Sequence, residues 1–147
     1  MLPSQVKRFS LALFCTGAIL SSGCATTSEN DSLYLALGGH DGIAKITQLF
    51  VMEIAYDDRV FHHFADSNVE RFAEKFAEHL CTVVDGPCQY TGDSMIDIHT
   101  GMDVTEGGFN AIVEDLMNAM NQADISIGVQ NRVLARLAKF RGEVINL

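Results

Sequence analysis

Between Asn68 and His99 the chain carries a pattern that admits few folds. Phe72, Phe76, Leu80 and Val83 fall on one helical stripe, while Glu70, Glu74 and Glu78 recur every fourth residue on the other side. Such a stripe needs an apolar neighbour. Asp85-Gly86-Pro87 then breaks the helix, Tyr90-Thr91-Gly92 follows, and a short segment from Ser94 ends at His99. A chain that doubles back at this break can set the His99 imidazole opposite the phenylalanines. Read physically, the stretch is a wall for a flat apolar cofactor with a metal ligand facing it.

The rest of the chain repeats the helical period. No strand-like alternation of any length occurs, so the expected class is all-α. Asp41 is expected to cap a helix running to about Tyr56, with Ile43, Ile46, Phe50 and Ile54 turned inward. Ser67 or Asn68 caps the next, which reaches about Val84. After the segment bearing His99, Thr105 with Glu106 opens a helix carrying Phe109, Ile112, Val113, Leu116 and Met120. A last helix is expected from about Ile127 to Ile145, with Val133, Leu137 and Phe140 inward. There is no internal repeat. A four-helix bundle would account for these stripes equally well.

The order and spacing of the whole set resemble the truncated haemoglobins, specifically the group I type. The resemblance covers Leu33 to Val144. It rests on Leu37-Gly38-Gly39, Asp57-Asp58, Phe64, Gly86-Pro87, Tyr90-Thr91-Gly92, Met95, His99, and Val104-Thr105 with Phe109, with no gap needed between Phe64 and His99. It implies a truncated globin fold, a two-over-two helical sandwich around haem b. His99 would be the proximal iron ligand, since a neutral imidazole in an apolar slot commonly holds haem iron. Phe64 would pack on the haem, Tyr90 would border its edge, and Lys75 would pair with a propionate; Phe50, Met95, Phe109, Ile112 and Leu116 would complete the cofactor pocket. The ligand implied is a diatomic gas: dioxygen, nitric oxide or carbon monoxide.

On the distal side this sequence departs from the family pattern. Group I members commonly carry a tyrosine on the first long helix and a glutamine or other polar residue on the next. The matching positions here are Val51, Phe72 and Phe76, all apolar. A gas ligand there would lack side-chain donors, so fast loss of dioxygen is expected. Nitric oxide detoxification or peroxidase-like turnover is the enzymatic alternative, with His79, two turns beyond Phe72, as its candidate acid/base. A six-coordinate redox or sensor haem protein is another, with Lys75 swinging inward as a second iron ligand. His62-His63 could bind a transition metal, but no third ligand lies at a helpful spacing, so a solvated loop pair is expected; His63 stands where relatives are apolar, which the resemblance implies could bring it to the haem edge.

The N-terminal end reads differently. Lys7-Arg8 precede an apolar run from Phe9 to Leu20, too short to span a bilayer, and Ser21-Ser22-Gly23-Cys24 follow. Gly23-Cys24 resembles the cleavage point of a bacterial lipoprotein signal, in which Cys24 becomes the lipidated first residue. Leu20, however, stands four places before the cysteine rather than three. The expected organisation is a signal peptide over 1–23, a lipidated cysteine and solvated tether over 24–32, and the truncated globin domain over 33–147. The protein would then be exported and face the periplasm as a membrane-anchored lipoprotein. Ala25, rather than aspartate, resembles outer-membrane sorting if the source is Gram-negative.

Without Lys7 and Arg8 the mature part holds 8 basic against 19 acidic side chains, a formal charge of −11. Such a surface repels nucleic acid and anionic head groups, so membrane attachment would come from the lipid alone. A reductant for the iron is implied, and the sequence does not identify it. In an oxidising compartment Cys81 and Cys88 could pair once the helix breaks at Asp85-Gly86-Pro87; two buried free thiols are the alternative.

Overall fold

Two consecutive glycines set where the first long helix begins. The computed structural model describes residues 32–145 and 147; the expected signal peptide and nearly all of the tether lie outside the described residues. A one-turn helix, α1 (Leu33–Ala36), is capped by the Ser32 hydroxyl and leads into Gly38 and Gly39 at φ +89° and +65°. Glycine reaches these angles without a Cβ penalty. α2 (Gly39–Tyr56) therefore starts at the glycine pair, not at a cap on Asp41. Asp41 lies in the first turn, where its charge suits the helix dipole. A Cβ on Gly42 would collide with the Leu37 carbonyl.

After a 3-10 turn at Phe61–His63, α3 (Val69–Val83) is capped by Asn68, whose side chain accepts from the Arg71 amide at 2.8 Å. α4 (Met95–His99) is capped by Ser94, and α5 (Glu106–Gln122) by Thr105. α6 (Ile127–Leu137) stops short of the expected Ile145: from Ala138 to Glu143 the chain tightens into a 3-10 helix. No strand occurs among the described residues.

α2 packs against α3 and α5, and α6 against the same two, which gives the expected two-over-two arrangement of long helices. Ile43, Ile46, Phe50 and Ile54 of α2 are buried with Ala111, Leu116, Ala119 and Met120 of α5, Leu80 and Cys81 of α3 and Val133 of α6. Each buried leucine or isoleucine contributes about 1.5–3 kcal/mol. Polar ties fix the register. Glu53 accepts from Asn118 and Gln122, and Arg59 spans Asp57 and Glu114.

The C-terminal end of α3 is held from two directions. Arg136 of α6 donates to the Val83 carbonyl at 2.7 Å and pairs with Asp85 at 2.6 Å. Cys81 and Cys88 are joined by a disulfide with Cα atoms 5.9 Å apart. The loop that follows therefore lies back along α3, which places Tyr90 and Thr91 beside the middle of that helix.

Candidate functional site

The space between α3 on one side and α4 with the C-terminal 3-10 segment on the other is a cavity of about 510 Å³. That falls within the range of about 300–1,000 Å³ usual for small-molecule sites. Its walls are apolar, with polar groups confined to a few positions. Among the expected site residues it brings together Phe50, Phe64, Phe72, Lys75, Phe76, His79, Tyr90, Met95, His99, Phe109, Ile112 and Leu116.

His99 ends α4, and its Nδ1 lies 2.7 Å from the carbonyl oxygen of Met95, one turn earlier. A carbonyl can only accept, so Nδ1 is the donor, and in the neutral ring Nε2 keeps its lone pair. The backbone of a five-residue helix thus fixes both tautomer and ring orientation, which is what a metal-ligating histidine requires.

The wall contributed by α2 and α3 is a set of interlocked rings. Phe50 and Phe76 lie 4.6 Å apart between centroids, Phe64 and Phe72 5.1 Å, Phe72 and Phe76 6.0 Å, and Phe50 and Phe72 6.3 Å. Val51 departs from the expectation that it faces the same space. It lines a second cavity of about 90 Å³ with Ile54, Ala55, Phe61, Ser67 and Val69. The reason is helical rotation: the step from Phe50 to Val51 turns the side chain by about 100°, past the rings of Phe64 and Phe72, which line both cavities.

At the rim, Lys75 is held by Glu74 at 2.7 Å, Glu78 at 3.1 Å and the Thr91 hydroxyl at 2.6 Å. Its pKa is pushed up, first by Glu74 and then by Glu78. Glu78 is no solvated member of a charge stripe: it also accepts from the Thr91 amide at 2.9 Å, which keeps it ionised below the usual range. An ammonium so partnered and so stabilised does not suit the expected alternative of an inward-swinging iron ligand. The Tyr90 hydroxyl donates to the Asp93 carbonyl at 2.7 Å.

His79 packs edge-on against Tyr90 and Phe140, at 5.3 and 5.0 Å. Burial lowers its pKa, opposed by Glu143, so it faces the cavity as a neutral imidazole. The rings of His62 and His63 lie 3.9 Å apart between centroids, tilted by 41°. Among the described residues no group of three or more His, Cys, Asp or Glu side chains is arranged to hold a metal ion. His63 also lines the main cavity, and burial, His62 and His99 together lower its pKa.

Sequence reading missed several lining residues. Leu134, Leu137, Phe140 and Val144 complete the cavity from the C-terminal end, where helical stripes had marked some of them as core, and Met102 and Val104 come from the loop after α4. Arg141 carried no signal. It lies over the Phe109 ring at 5.8 Å and pairs with Glu106.

The donor set and shape suit a flat metallated macrocycle. One imidazole has its outer nitrogen tied down, aromatic faces line the slot, and cations stand at its edge for acidic arms. Residues 32–146 match the family model described as bacterial-like globin. The group 1 truncated hemoglobin of Tetrahymena thermophila is 30% identical over 111 residues, covering 76% of this chain and 88% of that protein. Group 1 truncated hemoglobin GlbN of Mycolicibacterium paratuberculosis is 25% identical over 117 residues, covering 80% and 86%. Among solved structures, the Fe(III) truncated hemoglobin of Tetrahymena pyriformis superposes with a TM-score of 0.75 at 25% identity, over 77% of this chain and 97% of that one. A 2/2 hemoglobin from Synechococcus, in the cyanomet state and with covalently attached heme, gives 0.73 at 22% identity over 79% and 99%, a likeness of fold.

Proposed function

Because the chain belongs to the bacterial-like globin family and has group 1 truncated haemoglobins as its relatives, we propose that it holds haem b through His99 and binds a diatomic gas. The observation that carries this is the His99 imidazole, oriented by the Met95 carbonyl, on the wall of a large apolar cavity. Haem supplies an iron that takes an imidazole on one side and a small ligand on the other. His99 offers Nε2 because Met95 retains the Nδ1 proton. Phe64, Phe72 and Phe76 line the cavity with apolar rings and would exclude water from the cofactor. Lys75 stands at the rim, its charge assured, to meet a carboxylate arm.

The haem-loaded protein should show a five-coordinate reduced spectrum that shifts on adding carbon monoxide and is lost in His99→Ala. A six-coordinate low-spin spectrum would move the reading to redox or sensing. A second reading, peroxide turnover, is favoured by His79, a neutral imidazole that lines the cavity between Tyr90 and Phe140. Equal peroxidase rates in wild type and His79→Ala would remove it.

We also propose that the domain is exported and anchored by lipid on Cys24. Support comes from Lys7-Arg8, the apolar run to Leu20 and Gly23-Cys24, together with the Cys81–Cys88 disulfide, which suits an oxidising compartment. Metabolic labelling with a fatty acid tests it: label on wild type and none on Cys24→Ser is expected, and an unlabelled wild type overturns it.

A further inference from the structure

The chain has three tyrosines and no tryptophan, and of these rings only Tyr90 lines the main cavity among the described residues. Tyr56 is 85% exposed on α2, and Tyr34 lies against Gly39 and Gly86. A phenol gives up one electron and its hydroxyl proton far more readily than a phenyl ring or an imidazole. The phenylalanines of the wall and the cavity histidines, His63, His79 and His99, are therefore poor competitors for that role. Met95 and Met102 also line the cavity, but a thioether is oxidised to a sulfoxide and is consumed.

Tyr90 is held from three directions. Its ring meets His79 edge-on at 5.3 Å, and its hydroxyl donates to the Asp93 carbonyl at 2.7 Å. The Gly92 backbone closes on the hydroxyl end so tightly that a Cβ at position 92 would collide with it. A ring fixed in this way can change charge with little rearrangement around it. It is half-buried in the loop that also carries Thr91, the partner of Lys75 at the cavity rim, so it reaches from the cavity wall towards solvent. Burial, then Asp93 and Glu78, keep the phenol protonated, with Lys75 and Arg71 opposing. Negative charge beside a ring favours its losing an electron. The whole chain is strongly acidic, at a formal −9, so a neutral donor approaches this rim more easily than an anionic one.

We propose that Tyr90 is an electron relay that gives the domain peroxidase activity toward small neutral phenols and aromatic amines, which react at the rim without entering the cavity. This rests on the haem reading above and on hydrogen peroxide as oxidant, and is independent of the role of His79. Over one turnover the O–O bond of peroxide breaks, and two electrons and two protons convert it to two waters. Each electron reaches the haem from Tyr90, whose hydroxyl proton passes to water at the rim. A donor phenol then returns a hydrogen atom: the O–H bond of Tyr90 forms again, that of the donor breaks, and two phenoxyl radicals leave for each peroxide.

The test mixes the haem-loaded ferric protein with hydrogen peroxide, freezes it within milliseconds and reads the electron paramagnetic resonance spectrum; 2-methoxyphenol serves as donor in parallel assays. Wild type should give a tyrosyl signal that narrows when the protein is made with ring-deuterated tyrosine. Tyr90→Phe should lose that signal and oxidise 2-methoxyphenol about tenfold more slowly. Tyr34→Phe/Tyr56→Phe, which leaves Tyr90 as the one tyrosine of the chain, should keep both the signal and the rate. This second variant decides the matter if Tyr90→Phe does not hold haem.

A tyrosyl signal that survives in Tyr90→Phe, or is lost in Tyr34→Phe/Tyr56→Phe, overturns the relay. Oxygen added to Met95 or Met102, found by peptide mass spectrometry in a wild type with no tyrosyl signal, overturns it as well. Failure of the haem reading is distinguishable, because the wild type would then show no haem spectrum before peroxide is added. A haem spectrum that peroxide leaves unchanged would remove the relay and keep the haem reading.

Discussion

The Nδ1 of His99 is committed to the carbonyl oxygen of Met95, 2.7 Å away on the same short helix. The imidazole is therefore oriented by backbone that exists before any cofactor arrives, and replacing it should remove the ligand while leaving the slot intact. His99→Gly should fold and lose the haem spectrum, and added imidazole should restore it. Unchanged spectra in His99→Gly without added imidazole would assign the iron ligand elsewhere.

Lys75 and Glu78 form one unit with Thr91 at the cavity rim. Their contacts are near solvent, so the Lys75 contribution to holding an acidic cofactor arm should stay under about 1 kcal/mol. Lys75→Ala should speed haem transfer to an acceptor globin by no more than about fivefold, with the ferric spectrum unchanged. Glu78→Gln should do more, because Thr91 and Lys75 both lose the charged acceptor they share on α3. A ferric spectrum altered by Lys75→Ala would mean that this side chain reaches iron.

Asp115 is a second titrating element, away from the cavity. It is 3% exposed, one of its oxygens has no partner among the described residues, and burial, with Asp57 next in importance, pushes its pKa up to about 6. A group whose pKa rises on folding gives stability that is full below about pH 4 and is lost as pH climbs through 6. Asp57, lowered chiefly by Arg59, works in the opposite direction, since its contribution is present above about pH 4 and lost below it. Urea unfolding at pH 5 and 7.5 should find Asp115→Asn more stable than wild type at the higher pH by about 1–2 kcal/mol. The gain should shrink at the lower pH. Parallel profiles for the two proteins would show that Asp115 does not titrate in this range.

Much of this architecture was legible because it rests on local rules. Asn68, Ser94 and Thr105 cap the helices they precede, and the stripe from Phe72 to Leu80 faces the interior as its spacing requires. What escaped depended on tertiary context. Asp41 has the right chemistry for a cap, yet a glycine pair able to take positive φ starts the helix two residues earlier. Arg141 joins the cavity only because the chain tightens after Leu137 and swings it over Phe109. The family resemblance put Val51 on the distal wall of the cofactor pocket, but which cavity it faces is decided by two rings from other parts of the chain.

The disulfide closes a small loop that lies between two cavity-lining residues in the chain, His79 and Tyr90. Cys81 is buried in the core and Cys88 is half-buried, and two residues further on Tyr90 packs against His79. By the loop-entropy estimate a bridge across so short a separation stabilises by about 2–3 kcal/mol. Reduction with a thiol should therefore lower Tm by roughly 10 °C. It should also quicken haem loss, because the segment bearing Tyr90 and Thr91 would then be held to α3 only by the contacts of Thr91 with Glu78 and Lys75 and of Tyr90 with His79. Cys81→Ala/Cys88→Ser should match the reduced wild type and no longer respond to thiol. If reductant leaves both Tm and haem retention of the wild type unchanged, the bridge is not a structural element of the pocket in solution.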